Sequence, residues 1–345
     1  MKIWIDVICP PDVFLFKDIW KFLSKEGHEI IITGRTYQET PSLLQCVKMP
    51  HIIVGSHGGN TLGEKLLMRL ERTLELAKMF KENPPDVVLS RHSAPASQVG
   101  FGLGKPVVYL IDDIHAKAQS KLGLPFSDRI IAPSVTDMEE LISCGADPNG
   151  IRLFDGIFEY AYLKNFTPSS KVLEDLGLES EDAIVVVRTE PQSSYMLSNS
   201  VLFPTINKLI NLGDIKIVVL PRYPNQRSVI EKKFGNKVIV PKGAIDAPSL
   251  LAYSNLLIGA GGTMNREAAL LGTPVINCYS GPIPVSDDFI IKKGLAFKLF
   301  DPDEIVKKSI ELLEGKKYFE DLSKEVKRTM EDPTDLIISS IKDFE

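Results

Sequence analysis

The residues that could do chemistry gather first in one run. It reads Asn255-Leu-Leu-Ile-Gly-Ala-Gly-Gly-Thr-Met-Asn-Arg-Glu-Ala-Ala-Leu-Leu-Gly-Thr-Pro-Val-Ile276. The pattern is a buried strand, a glycine turn, a short helix and a second strand. Gly259-Ala260-Gly261-Gly262 would let the backbone approach a ligand closely. Thr263 or Asn265 could cap the helix that follows. A helix start offers free N–H groups and a positive dipole end, which suits a diphosphate. Glu267, just inside the helix, could bridge the two hydroxyls of a ribose. The plainer role for such a carboxylate is to favour the helix dipole.

Other charged groups follow apolar runs that read as strands. Arg188 and Glu190 follow residues 183–187, and Arg222 follows Ile215–Leu220. Guanidinium groups suit a diphosphate, although an Arg–Glu pair can equally be structural. Asp112, Asp113 and His115 follow residues 106–111, and Arg91, His92 and Ser93 follow residues 86–90. Two acids and an imidazole could bind a metal or supply a base, whereas an Asp pair alone commonly makes a turn or helix cap. Acceptor binding or base chemistry is expected here rather than a metal. Ser56-His57-Gly-Gly-Asn60 reads as a turn that either lines a cleft or merely breaks the chain. There is no G-x-S-x-G, no P-loop, no H-E-x-x-H, and no G-x-G-x-x-G in the first βα turn. A dinucleotide dehydrogenase is therefore disfavoured.

These residues need a frame. The chain has 345 residues, 44% hydrophobic and 25% charged, which favours two globular domains. Its formal net charge of −5 gives no general attraction to nucleic acid. No apolar run is long enough to span a bilayer, and the start lacks a signal peptide's apolar region, so a cytoplasmic protein is expected. Cys9, Cys46, Cys144 and Cys278 are far apart and read as buried thiols.

Strand-like and helix-like segments alternate. Strands are expected at Lys2–Val7 and at residues 29–33, 86–90, 106–111 and 129–132. A second series falls at residues 183–187, Ile215–Leu220, and residues 238–240, 256–258 and Val275–Asn277. Helices are expected at residues 14–25, Leu62–Phe80, Lys171–Leu176 and 201–211, with three more closing the chain at residues 303–313, 318–330 and 335–344. In Leu62–Phe80, Glu64, Lys65, Arg69, Glu71 and Arg72 are expected on polar faces. The helix at residues 14–25 is expected to face the core, with contact to a membrane surface as the weaker alternative. The alternation implies parallel sheets covered by helices on both faces. A composition shift at residues 163–182 marks the interdomain region, giving domains 1–165 and 166–325, with 326–345 as a helix returning to the first.

An internal echo supports two like units. The run from Asp86 to Phe101-Gly-Leu-Gly-Lys-Pro-Val-Val108 matches that from Asn255 to Leu270-Leu-Gly-Thr-Pro-Val-Ile276. Both read strand, loop, helix, Leu-Gly-x-Pro-Val and strand. Aligned on that motif, Glu267 faces Val99. Two such sheets would face one another across a cleft, with ligands outside the carboxyl ends of their strands.

The stretch Gly261-Gly-Thr-Met-Asn-Arg-Glu-Ala-Ala-Leu-Leu-Gly-Thr-Pro274 resembles the nucleotide-binding stretch of GT-B glycosyltransferases. It is similar to that of the peptidoglycan N-acetylglucosaminyltransferase and of the UDP-N-acetylglucosamine (UDP-GlcNAc) 2-epimerases. Over nearly its whole length the chain resembles a mostly archaeal family, domain of unknown function 354. The resemblance rests on Ile5-Asp-Val-Ile-Cys-Pro-Pro11, His57-Gly-Gly59, Leu70-Glu-Arg-Thr-Leu74, Asp128-Arg-Ile-Ile-Ala-Pro133, Phe154-Asp-Gly156, Val187-Arg-Thr-Glu-Pro191, Leu220-Pro-Arg222 and Gly259 to Pro274. It implies a GT-B-like fold, α/β, of two Rossmann-like domains. It also implies that Glu267 holds the ribose and that Gly261, Gly262, Thr263 and Met264 bind the diphosphate. Arg188 or Pro221-Arg222 would lie near the uracil. Where the family often has Pro-Pro-His, this chain has Pro10-Pro11-Asp12, and Asp could itself act as a base.

Together these readings point to a metal-independent glycosyltransferase with no cofactor. Its substrate would be a nucleotide sugar, a UDP-sugar above all, and its acceptor a sugar or a lipid-linked group. The base would be one of Asp12, His92, Asp112, Asp113 and His115. The alternatives are a 2-epimerase acting on the same donor, and a non-catalytic nucleotide-sugar-binding protein.

Overall fold

Every strand of the protein runs parallel to its neighbours. The structure, a computed structural model, describes residues 1–59, 61–190, 201–243 and 245–345. Asn60 of the His57 turn and Pro191 of the Val187 motif lie outside the described residues. Two compact units form, Met1–Tyr162 with Met330–Glu345, and Leu163–Thr329.

The first unit holds seven strands: β1 Lys2–Val7, β2 Glu29–Thr36, β3 Ile52–Ser56, β4 Val87–Arg91, β5 Val107–Leu110, β6 Arg129–Pro133 and β7 Ile151–Phe154. Their order is β3-β2-β1-β4-β5-β6-β7. The second unit holds five: β8 Ala183–Arg188, β9 Ile215–Leu220, β10 Leu256–Gly259, β11 Val275–Asn277 and β12 Ala296–Lys298, ordered β12-β11-β10-β8-β9. The chain reverses direction across each sheet at one place, between β1 and β4 and between β8 and β10. Asp6 registers with Ser90 at the first switch and Arg188 with Gly259 at the second. A parallel sheet opens a crevice beyond its carboxyl ends at such a point.

Packing follows the apolar pattern. Ile3, Ile5 and Val7 of β1 lie in one core with Phe16, Ile19 and Leu23 of the helix Pro10–Lys25, and Trp4 points to the opposite face against Phe80. The helix at residues 14–25 thus does face the core, with Trp20 packed against it. The closing helix Pro333–Lys342 adds Ile337, Ile338 and Ile341 to that same core.

Three expectations need correction. Residues 238–240 form no strand, since Ile239 makes a single isolated bridge to Val218 rather than a ladder. Cys46 is exposed and Cys9 only partly buried, because Cys46 ends a short surface helix, Thr40–Cys46. Arg72 is not on a polar face but buried beside Leu76 and Phe80, four and eight residues on, which share its side of the helix.

Gly100 lets the helix Ala94–Gly102 lie directly on the sheet. A Cβ there would stand 2.7 Å from Val107 Cγ2 and 2.8 Å from Val88 Cγ2. Gly100→Ala should therefore destabilise the protein by about 1–3 kcal/mol through overpacking, despite alanine's better helix propensity. A urea-midpoint measurement checks this, and an unchanged or raised midpoint would show that the contact has room to relax.

Candidate functional site

At the second switch point, β10 ends in the glycine turn. Gly261 is the N-cap of the helix Gly262–Leu271, with φ 151°, a conformation that favours glycine. As a glycine, Gly261 brings no side chain to cap this helix start. Thr263 and Asn265, expected as caps, lie inside the helix instead, because the helix begins earlier, at Gly262. Thr263 Oγ1 accepts from Arg266 Nη2 at 3.4 Å, and Met264 is partly exposed. Asn265 is fully buried. Its Nδ2 donates to Gly259 O at 3.5 Å and its Oδ1 has no hydrogen-bond partner. Glu267 is buried one turn in, and so is Arg266, whose Nη1 pairs with Asp287 Oδ1 at 3.4 Å.

Arg222 leans over the turn. Its Nε donates to Thr189 O at 2.8 Å and its Nη2 to Ala260 O at 3.2 Å. A Cβ on Gly261 would collide with that guanidinium, and one on Gly262 with the guanidinium of Arg266. Two glycines thus make room for two cations at an uncapped helix start. Arg188 Nη1 donates to Pro221 O at 3.2 Å, at the carboxyl end of β9. Glu190 keeps a buried Oε1 without a hydrogen-bond partner. Burial, with the Glu190 charge, pushes the Cys278 thiol up.

At the first switch point, Arg91 sits between two carboxylates. Its Nη1 reaches Asp12 Oδ1 at 3.1 Å and its Nη2 reaches Asp112 Oδ2 at 2.7 Å. The other oxygen of Asp12 accepts from the amides of Ile8, at 3.0 Å, and Cys9, at 3.1 Å. Burial raises the Asp12 carboxyl, and the Arg91 charge with these amides works against it. Burial would lower Arg91, but Asp112 and Asp12 hold it well above its ordinary value. His92 Nε2 lies 2.7 Å from Asp112 Oδ1. The amide of Asp112 also approaches Nε2, at 3.4 Å, so the donor and acceptor roles of the ring nitrogens follow the tautomer. The His92 backbone is at φ 53°, unusual for a residue with a side chain, and Gln119 Nε2 donates to its carbonyl. The structure therefore brings Asp12, His92 and Asp112 together through Arg91. Asp113 Oδ1 instead accepts from the amide of His115 at 2.8 Å, a local turn, and His115 is exposed.

His57 belongs to another cluster. It stacks on Tyr37 at 4.4 Å, and the Arg35 guanidinium lies 5.2 Å from the Tyr37 ring centre. Burial, then Arg35 and Lys65, depress His57 to about 4.

The sequence profile of the family described as "Protein of unknown function (DUF354)" matches residues 1–345. The chain belongs to the DUF354 family. A relative from Methanocaldococcus jannaschii, described as uncharacterized protein MJ0665, is 35% identical over 352 residues, covering 100% of this chain and 98% of the relative. Among solved structures, the UDP-GlcNAc 2-epimerase from Neisseria meningitidis bound to UDP-GlcNAc is similar with a TM-score of 0.77 at 15% identity, covering 99% of this chain and 100% of that one. The glycotransferase of kitacinnamycin gives 0.62 at 14% identity, covering 98% of both. At these identities the likeness is one of fold. The two Rossmann-like α/β units expected from the sequence are those of this DUF354 member, and its structural neighbours include GT-B glycosyltransferases.

Sequence reasoning missed the ion pair beneath the first site. Asp6, at the end of β1, takes Arg72 Nη2 on Oδ1 at 2.6 Å and Arg72 Nη1 on Oδ2 at 2.9 Å. Thr33 and Ser93 add hydroxyl donors at 2.5 Å each. An acid inside the apolar run of β1, and an arginine in register with Leu76 and Phe80, were the available signals. Burial raises the Asp6 carboxyl, yet Arg72 and the hydroxyls pull it below its ordinary value.

In this DUF354 protein, Arg72→Met would leave Asp6 buried without its cation. The expected loss is about 3–5 kcal/mol at neutral pH. In the parent, the stability from Asp6 is present above about pH 3.9 and lost as pH falls through the lowered folded value. In the variant, burial alone raises the folded value, so the deficit shrinks as pH falls towards about 3.9. Urea titrations at pH 7 and pH 5 test this, and a deficit equal at both would exclude the uncompensated carboxylate as its cause.

Proposed function

We propose that this protein is a sugar-nucleotide enzyme that transfers a glycosyl group from a UDP-sugar without a metal ion. The observation that carries the reading is the uncapped start of the helix Gly262–Leu271, behind two glycines and beneath Arg222. Diphosphate oxygens would accept from the first-turn amides and from Arg222, where the helix dipole adds to the attraction. Glu267 would accept from the ribose hydroxyls. The Neisseria meningitidis neighbour's bound UDP-GlcNAc supports a uridine nucleotide as donor. As the glycosidic bond breaks, charge grows on the departing diphosphate, and groups already aimed at it lower the barrier.

His92 is the favoured base among Asp12, His92, Asp112, Asp113 and His115. Asp112 orients its ring, and its side chain keeps 19% exposure, whereas Asp12 is fully enclosed by its donors. It would take the acceptor hydroxyl proton on Nδ1, and Asp112 would stabilise the imidazolium.

One observation favours a second reading, 2-epimerisation. The same cluster pairs His92 with Asp112 at 2.7 Å, so one oriented imidazole can take up a proton and return it without an acceptor site. Removing and returning a proton at the sugar's C2 needs both steps.

Two measurements decide. Isothermal titration with UDP should find affinity lowered about tenfold or more by Arg222→Ala and by Glu267→Gln, a difference of at least about 1.4 kcal/mol. Unchanged affinity in both would remove the nucleotide site. Proton NMR of UDP-GlcNAc with the protein in D2O, without acceptor, separates the reactions. Deuterium at C2 identifies an epimerase, and UDP release only on adding an acceptor identifies a transferase. In either case His92→Ala is expected to reduce turnover at least about a hundredfold while UDP affinity holds.

A further inference from the structure

The helix Leu62–Phe80 has two apolar stripes, and only one is covered. Arg72, Leu76 and Phe80 face inward. Leu62, Leu66, Leu67, Leu70 and Leu74 are 76%, 50%, 58%, 48% and 56% exposed, more than isolated surface leucines would explain. They recur at intervals of three and four residues, so they form one face about 18 Å long. Ile52 and Ile53, on the edge strand β3 beside this helix, are exposed too. The leucines alone present on the order of 500 Å² of apolar surface, at the upper end of patches found on monomers.

We propose that this face pairs with the same face of a second copy of this chain, the two helices lying antiparallel about a two-fold axis at Leu70. Self-pairing in that sense sets Leu66 against the partner's Leu74 and Leu70 against its own copy. Gly63, on the same face, lets the backbones come close. The charges bordering the leucines fit this direction. Glu64 stands in the first turn and Lys78 in the last, on the same border. Antiparallel pairing brings Glu64 to Lys78 of the other copy at both ends, whereas parallel pairing would set Glu64 against Glu64. The opposite border is already engaged, with Arg69 Nη1 donating to Gln98 Oε1 at 3.2 Å. A lipid surface fits less well. The first border carries Glu64, which also accepts from Thr61 Oγ1 at 2.8 Å, with Glu71 and Glu75 against Lys78 alone, while helices that lie on membranes carry basic borders. Two such faces together bury about 1,000 Å², the size a specific interface must reach.

The experiment uses the full chain in sedimentation velocity at tens of micromolar. A dimer is expected, and Leu70→Asp, at an exposed helix position, should give a monomer with unchanged circular dichroism and UDP affinity. In a Cys46→Ser background, mixed Leu66→Cys and Leu74→Cys chains should form an intermolecular disulfide on oxidation that neither forms alone. That cross-link keeps the proposal testable even if Leu70→Asp misfolds. A monomeric parent, a dimer that survives Leu70→Asp, or cross-linking equal in the unmixed chains overturns the proposal. So does a monomer that floats with vesicles of anionic phospholipid, which would assign the face to a membrane.

Discussion

Arg91 is the interaction on which the first unit's chemistry depends. Its guanidinium holds Asp12 on one side and Asp112 on the other, all three nearly out of water. Two buried carboxylates in one crevice would otherwise repel, and at least one would take up a proton. With the cation between them, Asp112 keeps one oxygen on Arg91 and the other 2.7 Å from His92 Nε2, which fixes the orientation of the ring. The arrangement comes from topology. β4 delivers Arg91, the loop after β5 delivers Asp112 one strand over, and the first turn of the helix Pro10–Lys25 delivers Asp12, so the sheet's reversal gathers residues far apart in sequence.

Below that layer, Asp6 and Arg72 tie β1 to the helix Leu62–Phe80, and Arg72 Nε also donates to Val54 O on β3 at 2.8 Å. Gly55 permits the approach, since a Cβ there would stand 3.1 Å from the Arg72 side chain. Ser93 joins Asp6 to the next helix, whose first-turn amide at Ala96 it also accepts from, at 3.4 Å. A buried charge is tolerable only when every lone pair and proton finds a partner. Here the demand for partners fixes where β1, β3 and two helices meet.

Much of this could be read from the sequence, and the limits have physical causes. Lys2–Val7, Ile215–Leu220 and Leu62–Phe80 were legible to the residue because their apolar periodicity is long or unbroken. β3, β7 and β12 were not recognised, being short and at or beside sheet edges, where exposure blurs the pattern. The glycine turn was legible as a close approach, but its occupants were not. Arg222 arrives from β9, and no local pattern announces a partner from another strand. The misjudged direction of Arg72 has the same origin. Charge predicts a polar face, and the buried carboxylate that reverses that prediction lies sixty-six positions away.

The repeated Leu-Gly-x-Pro units show how similar frames come to differ in chemistry. Each places a helix after a strand at its sheet's switch point, Ala94–Gly102 after β4 and Gly262–Leu271 after β10. In the first, Ser93 caps the helix start, and its hydroxyl is bound to Asp6, so the site is filled from within. In the second, Gly261 takes the cap position and brings no capping side chain, and the Asp287 carboxylate near the helix start is paired with Arg266. The position that aligns with Glu267 is Val99, buried in an apolar cluster in the first unit. Where the first unit has a capping serine and an apolar valine, the second has a glycine and a buried glutamate at the aligned positions. A glycine at the cap position costs only a few tenths of a kcal/mol relative to a capping side chain.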